Sequence, residues 1–317
     1  MKKNYALLLL SVAALTANAQ QINGDFDAAW EKCVPWDSKG NTMKKGVQPQ
    51  GWHMANVVLA GEVGEKITRS AKDEPANYAV KVKNIYNSAV KQNIPGYFTL
   101  GTPWATAETK GFSVRNSDGG TFGGMAFTYH PDAISFEYQR DNSNGTDEPA
   151  TVLAYLWNGT WTQKDVPGNN AIGVFSWGNA TRVDMENRER NVLGMSKTAT
   201  GGDVTKTEGA TLVATIDHAI TESTKGEWKT DTIPFVYKEG CETAGVENIN
   251  VIFSSANYFG PQSDIKAGNS LTVDNVKLIY YHALSSLKPT DNYGYDVDIN
   301  FSPDTLNYTV ESTYDPD

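Results

Sequence analysis

The sequence predicts an all-β protein, and two observations lead to this fold class. Segments with the two-residue alternation of β-strands recur along the chain, with turn residues between them. The composition includes 28 glycines, 15 tyrosines and 8 tryptophans in 317 residues, which is typical of strands joined by many turns. No internal repeat is visible, and this argues against a propeller or a solenoid.

The clearest strand pattern covers Ala133–Arg140, where the even-numbered residues from Ile134 onward share one face and Ser135, Glu137 and Gln139 share the other. The clearest hairpin signal is Asn158-Gly159, because this pair readily adopts the positive φ angles of a two-residue turn. The other predicted strands are Ile22–Trp30, Trp52–Leu59, Tyr78–Ile85, Tyr97–Leu100, Thr151–Trp157, Leu212–Ile220, Trp228–Tyr237, Asn250–Ser254 and Leu271–Tyr281. Residues 88–103 are predicted to be a loop, and Met185–Leu193 a short helix.

The N-terminus has the pattern of a secretory signal peptide over residues 1–19. Lys2 and Lys3 precede an apolar run, which ends before Ala17-Asn18-Ala19. No cysteine stands at the cleavage point itself, and Cys33 lies about 14 residues too late to carry a lipid anchor. The sequence therefore predicts an exported protein, in the periplasm, at the cell surface or secreted, and not a lipoprotein. Cys33 and Cys241 could pair in an oxidising compartment or remain as two thiols.

The net charge of the chain limits the classes of molecule that it can bind. The formal net charge is −10 and the isoelectric point about 5.0, and nucleic acids or anionic membranes require a basic face. We therefore expect neither as a partner, and the N-terminal apolar run is too short to be a transmembrane segment. Neutral, hydroxyl-rich ligands fit this composition better.

Two segments at the ends of the main region carry a resemblance to known proteins. They are Asn23–Trp30, which reads NGDFDAAW, and Ser270–Tyr281, which contains Val-Asp-Asn-Val. With them, residues 22–282 resemble the bacterial family named putative carbohydrate metabolism domain, and more distantly the jelly-roll carbohydrate-binding modules. The resemblance implies a jelly-roll β-sandwich over residues 20–282, with long loops and at most short helices, whose first and last strands lie side by side.

The same resemblance implies a structural calcium ion that ties the two ends together. The residues it indicates are Asp25, Asp27, Asp274 and Asn275, with Asp274 as the principal ligand, since calcium prefers oxygen ligands. A solvated carboxylate at the end of a strand is the alternative interpretation of Asp274.

Residues 283–317 differ in character and resemble the first strands of bacterial immunoglobulin-like surface domains, through Leu284–Lys288 and Phe301–Val310. A complete sandwich of that kind needs about 70–100 residues. We therefore expect a partial immunoglobulin-like domain or a strand-rich tail that makes few contacts with the main domain.

Sugar binding requires a flat apolar surface for the sugar ring and planar side chains that bond hydroxyls. The tryptophans considered as platforms are Trp36, Trp52, Trp104, Trp157, Trp161 and Trp177, whereas Trp30 and Trp228 are predicted to be in the core. We predict a carbohydrate site formed by Trp104, Trp161 and Trp177, with Asn158, Asn179 and Gln163 bonding hydroxyls.

The sequence shows no catalytic motif of a hydrolase, a zinc protease or a phosphate-binding protein. Carboxylates such as Glu137 are available, but none lies in a recognisable pair. We therefore predict a non-catalytic protein that binds an oligo- or polysaccharide in bacterial glycan capture or utilisation. The alternatives are a glycoside hydrolase on the same fold and a structural or adhesin subunit with cell-surface protein partners.

Overall fold

A computed structural model describes residues 21–27, 29–33, 46–56, 62–70, 77–88, 91–110, 113–145, 147–159, 206–207 and 210–280. By its contacts the chain divides into the unit Ile22–Tyr280 and a unit formed by Met1–Gln21 with Tyr281–Asp317. All the elements below belong to the first unit. The predicted helix Met185–Leu193 and the predicted tail lie outside the described residues.

The described residues form strands joined by turns, with one 3-10 turn at Gln262–Asp264. The strands are β1 (Trp30–Lys32), β2 (Val47–Pro49), β3 (His53–Met54), β4 (Gly64–Ser70), β5 (Asn77–Lys83), β6 (Ile85–Asn87), β7 (Gln92–Ile94), β8 (Tyr97–Thr99), β9 (Thr102–Lys110), β10 (Ser113–Phe122), β11 (Met125–Ala126), β12 (Ala133–Asp141), β13 (Ala150–Gly159), β14 (Lys206–Thr207), β15 (Ala210–Ile220), β16 (Lys229–Pro234), β17 (Val236–Tyr237), β18 (Asn248–Ser254) and β19 (Ser270–Ile279).

Two large antiparallel sheets dominate the architecture. The five-stranded sheet has the order β16-β12-β19-β5-β4. The eight-stranded sheet has the order β14-β15-β13-β18-β8-β3, with β11 beside β18 and β17 beside β15. Two-stranded ribbons form from β1 and β2, β6 and β7, and β9 and β10. The predicted all-β sandwich is confirmed.

The core lies between the inner faces of the two large sheets. The alternation predicted for β12 is confirmed, because Ile134, Phe136, Tyr138 and Arg140 are buried. The ring of Phe136 contacts that of Phe253 in β18 edge-to-face at 5.2 Å, which joins the two sheets. A second apolar cluster, including Leu153, Trp157, Ile252 and Tyr258, covers the outer face of the eight-stranded sheet.

The N-terminal segment and the last strand contact each other, but the prediction that they pair as strands is wrong. β19 pairs with β12 and β5, and residues 22–27 form no strand. The contact is the amide of Val276, which donates to the Gly24 carbonyl oxygen at 2.9 Å. Phe26, at a φ of 53°, turns its ring into the core against Trp52, because a buried phenyl ring stabilises more than a further ladder bond would.

Several further expectations need correction or completion. The predicted loop 88–103 contains β7 and β8, and β4 and the hairpin of β9 with β10 were not predicted. β13 extends to Gly159, whose φ is 84°, and the rest of the predicted hairpin lies outside the described residues.

Cys33 and Cys241 are thiols, the second of the two alternatives. Within the described ranges we find no helix of the length and apolarity needed to cross a membrane.

Candidate functional site

The outer face of the five-stranded sheet carries polar side chains at the positions that alternate with the core. We call it the polar face; its residues include Glu65, Arg69, Lys81, Ser135, Glu137, Gln139, Thr230, Thr232, Thr272 and Asp274. Thr232 donates to Ser135 across β16 and β12 at 3.1 Å, which shows that the two side chains share this face. Alternation leaves one face of each strand free for such residues because the core uses only the other.

A β-bulge brings two carboxylates opposite each other on the polar face. The register between β12 and β19 shifts after Ser135, so that Glu137 pairs with Asp274. Asn275 takes up the additional residue with a φ of 51°, a left-handed conformation that asparagine tolerates better than most residues. Like charges directly opposite each other destabilise a sheet, and this pair therefore needs a cation.

Arg69 supplies that cation. It lies at a register shift in β4, between Thr68 and Ser70. Its Nη1 is 2.5 Å from Asp274 Oδ2, and its Nη2 forms an ion pair with Glu137 Oε2. The side chains of Arg69 and Glu137 are 17% and 29% exposed, whereas that of Asp274 is 1% exposed.

The electrostatics of this cluster reflect burial and pairing. Burial raises the pKa of the Asp274 carboxyl above its ordinary value, although hydrogen bonds from Arg69 and the Asn275 amide act in the opposite direction. Burial lowers the pKa of Arg69, but the hydrogen bonds to Asp274 and Glu137 outweigh it and the net direction is upward. The guanidinium is therefore a permanent cation between two acids.

Trp228 completes the cluster. The guanidinium carbon of Arg69 lies 3.8 Å from the centroid of its ring, a cation–π stack. The indole is partly exposed and belongs to neither apolar cluster, so the prediction that it is a core residue is wrong. The sequence does contain a signal, because Trp228 falls in the same alternation as the exposed Thr230 and Thr232.

The turn before Trp228 is fixed to β12. Glu227 N donates to Thr224 O at 3.0 Å, and Lys225 and Gly226 have φ angles of 55° and 86°. Gln139 Nε2 donates to Gly226 O at 2.6 Å. Arg69 therefore stacks on an indole whose backbone position is already defined.

Of the tryptophans considered as platforms, Trp52, Trp104 and Trp157 lie within the described residues. Trp52 and Trp157 are buried, at 0% and 2% exposure, because both fill the apolar clusters, and they offer no free ring face. Trp104 lies within β9 opposite Gly120, not in a loop. Trp30 packs against the main core as predicted. Trp36, Trp161, Gln163, Trp177 and Asn179 lie outside the described residues.

Asn158, the described amide of the predicted site, is half-buried at the end of β13. Its Nδ2 donates to Gly245 O at 3.0 Å, while the amide of Gly159 donates to Glu247 Oε2 at 2.8 Å. The side chain of Asn158 therefore holds the 245–247 segment.

Three of the residues predicted to hold calcium, Asp25, Asp27 and Asp274, accept hydrogen bonds from the protein. The carboxylate of Asp25 accepts from the Asp27 amide at 3.2 Å, and that of Asp27 accepts from the Tyr78 amide at 2.7 Å. Both oxygens of Asp274 are engaged, Oδ2 by Arg69 and Oδ1 by the Asn275 amide at 2.7 Å. The described ranges contain no group of three acidic, histidine or cysteine side chains arranged around a metal position. Calcium binding stays a prediction, and an ion at Asp274 would compete with Arg69.

A second buried polar cluster has a structural role. Arg140, 1% exposed, donates to the carbonyl oxygens of Ser255, Ser270 and Glu148 at 2.8–3.1 Å. The carboxylate of Glu148 accepts from Asn84, Asn269 and the Lys266 amide. A surface pocket of about 270 Å³ adjoins Glu148, but all the hydrogen bonds of this carboxylate hold the surrounding segments together.

No protein-family model and no curated protein sequence matches the chain, so the family resemblance stays a prediction. Among solved structures, a putative glycoside hydrolase from Bacteroides thetaiotaomicron is similar, with 13% identity, a TM-score of 0.40, and coverage of 81% of this chain and 72% of that one. A putative glycoside hydrolase from Bacteroides vulgatus has 12% identity, a TM-score of 0.37, and coverage of 68% and 77%. A structure from a study of β-sandwich carbohydrate-binding modules has 8% identity, a TM-score of 0.29, and coverage of 74% and 58%. Likenesses at this level carry no argument about function, and the arguments below rest on the residues of this chain.

Proposed function

We propose that this protein is an exported, non-catalytic carbohydrate-binding protein that acts in bacterial glycan capture, and that Trp228 on the polar face contributes to its site. The observation that supports the proposal is a partly exposed indole stacked on a guanidinium that two carboxylates hold. An indole held in this way offers a rigid flat apolar surface, and it needs little ordering when a sugar ring binds.

The charges around Trp228 favour a neutral ligand. Arg69 lies between two carboxylates, those of Glu137 and Asp274, which leaves one net negative charge that disfavours an anionic ligand. Lys81 lies 4.0 Å from Glu65. Hydroxyl groups can bond to the exposed part of Glu137 and to neighbouring threonines, and they bring no charge of their own next to these acids. A polysaccharide without charged groups has this chemistry.

Titration calorimetry with an oligosaccharide identified on a glycan array tests the proposal. Trp228→Ala should weaken binding about ten- to a hundredfold, since burying one sugar face on an indole contributes roughly 1–3 kcal/mol. Tyr86→Ala removes a ring that is 60% exposed outside the polar face, and this matched control should bind as the wild type does.

Wild-type affinity in a folded Trp228→Ala variant would contradict this location. The tryptophans predicted from the sequence supply the second location, and Trp161→Ala and Trp177→Ala belong in the same titration. Loss of binding in those variants alone would move the site there and leave carbohydrate binding as the function.

A glycoside hydrolase is the second candidate, because Glu137 and Asp274 are opposed carboxylates and burial raises the pKa of Asp274. Retaining enzymes use two carboxylates about 5 Å apart, one of them accessible as an acid. Asp274 is 1% exposed and bonded to Arg69, which favours binding over catalysis. Release of reducing sugar by the wild type, abolished in Glu137→Gln, would favour the hydrolase instead.

A further inference from the structure

Two buried nitrogen donors on the outer face of the eight-stranded sheet have no acceptor in the described part of the chain. They are the indole Nε1 of Trp157 in β13 and the amide Nδ2 of Asn250 in β18. The two residues are 2% and 0% exposed. Native proteins rarely leave such donors unpaired, because burial removes their hydrogen bonds to water.

The two donors are neighbours. β13 and β18 are adjacent, and Trp157 is directly opposite Asn248, which places Asn250 two residues along on the same face. Diagonal residues of this kind lie about 7–8 Å apart between their Cα atoms. Aromatic and long side chains reach one another across such a diagonal, so the two donors can share one acceptor.

The orientation of the Asn250 amide is fixed by its other bonds. Its Oδ1 accepts from Thr99 Oγ1 at 2.7 Å and from the Gly101 amide at 3.0 Å. A Cβ on Gly101 would lie 2.5 Å from Thr121 Oγ1, 2.6 Å from the Gly123 carbonyl oxygen and 2.7 Å from Asn250 Nδ2. The unpaired donor therefore lies beside two acceptor oxygens, at a position where only a glycine fits.

We propose that Trp157 and Asn250 form an internal polar site for a neutral oxygen of the hydroxyl class, from water or from a sugar hydroxyl. Such an oxygen accepts from the two nitrogens and donates its own proton to a neighbouring acceptor such as Gly123 O. An anion would lie against this carbonyl oxygen in a buried position, where an unpaired charge is strongly disfavoured. The site is independent of Trp228, since it belongs to the other sheet.

A high-resolution crystal structure, with and without a soaked oligosaccharide, tests the proposal directly. We expect an oxygen within about 3.2 Å of one or both nitrogens. An isolated peak in the sugar-free crystals identifies water as the source, and a peak continuous with saccharide density identifies a sugar hydroxyl. A protein acceptor from residues 160–205 at this position, or no oxygen at all, overturns the proposal.

Thermal unfolding gives a second, independent measurement. Trp157→Phe should lower the melting temperature by about 2–4 °C, the scale for one hydrogen bond in a domain of this size. Trp30→Phe is the matched control, because Trp30 Nε1 donates to Phe26 O at 2.7 Å. An unchanged or raised melting temperature for Trp157→Phe, beside a lowered one for Trp30→Phe, contradicts the proposal, since an unbonded donor would have been removed.

Discussion

Replacing Arg69 by alanine should destabilise the domain more than any other single change on the polar face. The substitution leaves Asp274, 1% exposed, directly opposite Glu137 with no cation between them. Removing one partner of a buried ion pair costs about 3–5 kcal/mol of stability. We take the lower end, about 3 kcal/mol, because Arg69 and Glu137 are partly exposed. For a domain of this size the melting temperature should fall by roughly 6–12 °C at pH 7.

Acidification should reduce this difference. The bonds from Arg69 lower the pKa of Asp274 against the effect of burial, so the pKa rises further in the variant. A carboxyl whose pKa is higher in the folded state than its unfolded value of about 4 binds more protons when folded. The difference in free energy of unfolding between the wild type and the variant should therefore become smaller as the pH falls from 7 towards 5.

Calorimetry at the two pH values measures both effects. Lys81→Ala is the control, because the pair of Lys81 with Glu65 spans 4.0 Å between side chains that are 34% and 55% exposed, and such pairs contribute at most about 1 kcal/mol. The reasoning fails if Arg69→Ala is no less stable than Lys81→Ala, or if its deficit grows at the lower pH.

Four further changes have expected outcomes. Gly24→Ala should lower the melting temperature strongly, because the new Cβ would lie 1.9 Å from Val276 O, whereas Gly245→Ala, with nothing within 4 Å, should be neutral; equal melting temperatures would show that the N-terminal segment is not held. Burial raises the pKa of Tyr138 to about 12, above the unfolded value of about 10, so the free energy of unfolding should fall as the pH rises from 10 to 12. Tyr138→Phe should make that fall shallower in denaturant titrations, and an identical slope would contradict the assignment. If calcium ties the two ends together, EDTA should lower the melting temperature and calcium restore it; no effect of either refutes a structural ion. Removing residues 283–317 should lower the melting temperature by a degree or two, and a large fall would show that the tail belongs to the core.

The strand pattern could be predicted where one face of a strand is buried and the other is polar. β12 is the clearest example, since its alternation matches the observed burial residue by residue. The hairpin of β9 with β10 was missed because its sequence, rich in threonine, serine and glycine, lacks an apolar alternation. Such strands form through backbone pairing, which a hydrophobic pattern does not report.

The candidate site was harder to predict, for a different reason. Asp274 was identified, but its partner Arg69 lies 205 residues earlier in the chain, and a one-residue bulge at Asn275 decides that Glu137 is opposite Asp274. Trp228 was assigned to the core because aromatic residues in strands usually pack inward. The signal for the other face is that Trp228 falls in the same alternation as two polar residues, Thr230 and Thr232, which the structure shows to be exposed.

The position of β19 has a consequence for how the chain acquires its structure. The last strand of the described unit occupies the centre of the five-stranded sheet, between β12 and β5. During synthesis β5 and β12 are made before β19. The edge of each strand that pairs with β19 therefore stays unpaired until residues 270–279 have been made. Pairings between strands so distant in sequence form slowly and leave unpaired edges exposed to aggregation in the meantime. A ribosome stalled before residue 270 should carry a chain without this sheet, and limited proteolysis of stalled chains of increasing length would show protection appear in one step once β19 has emerged.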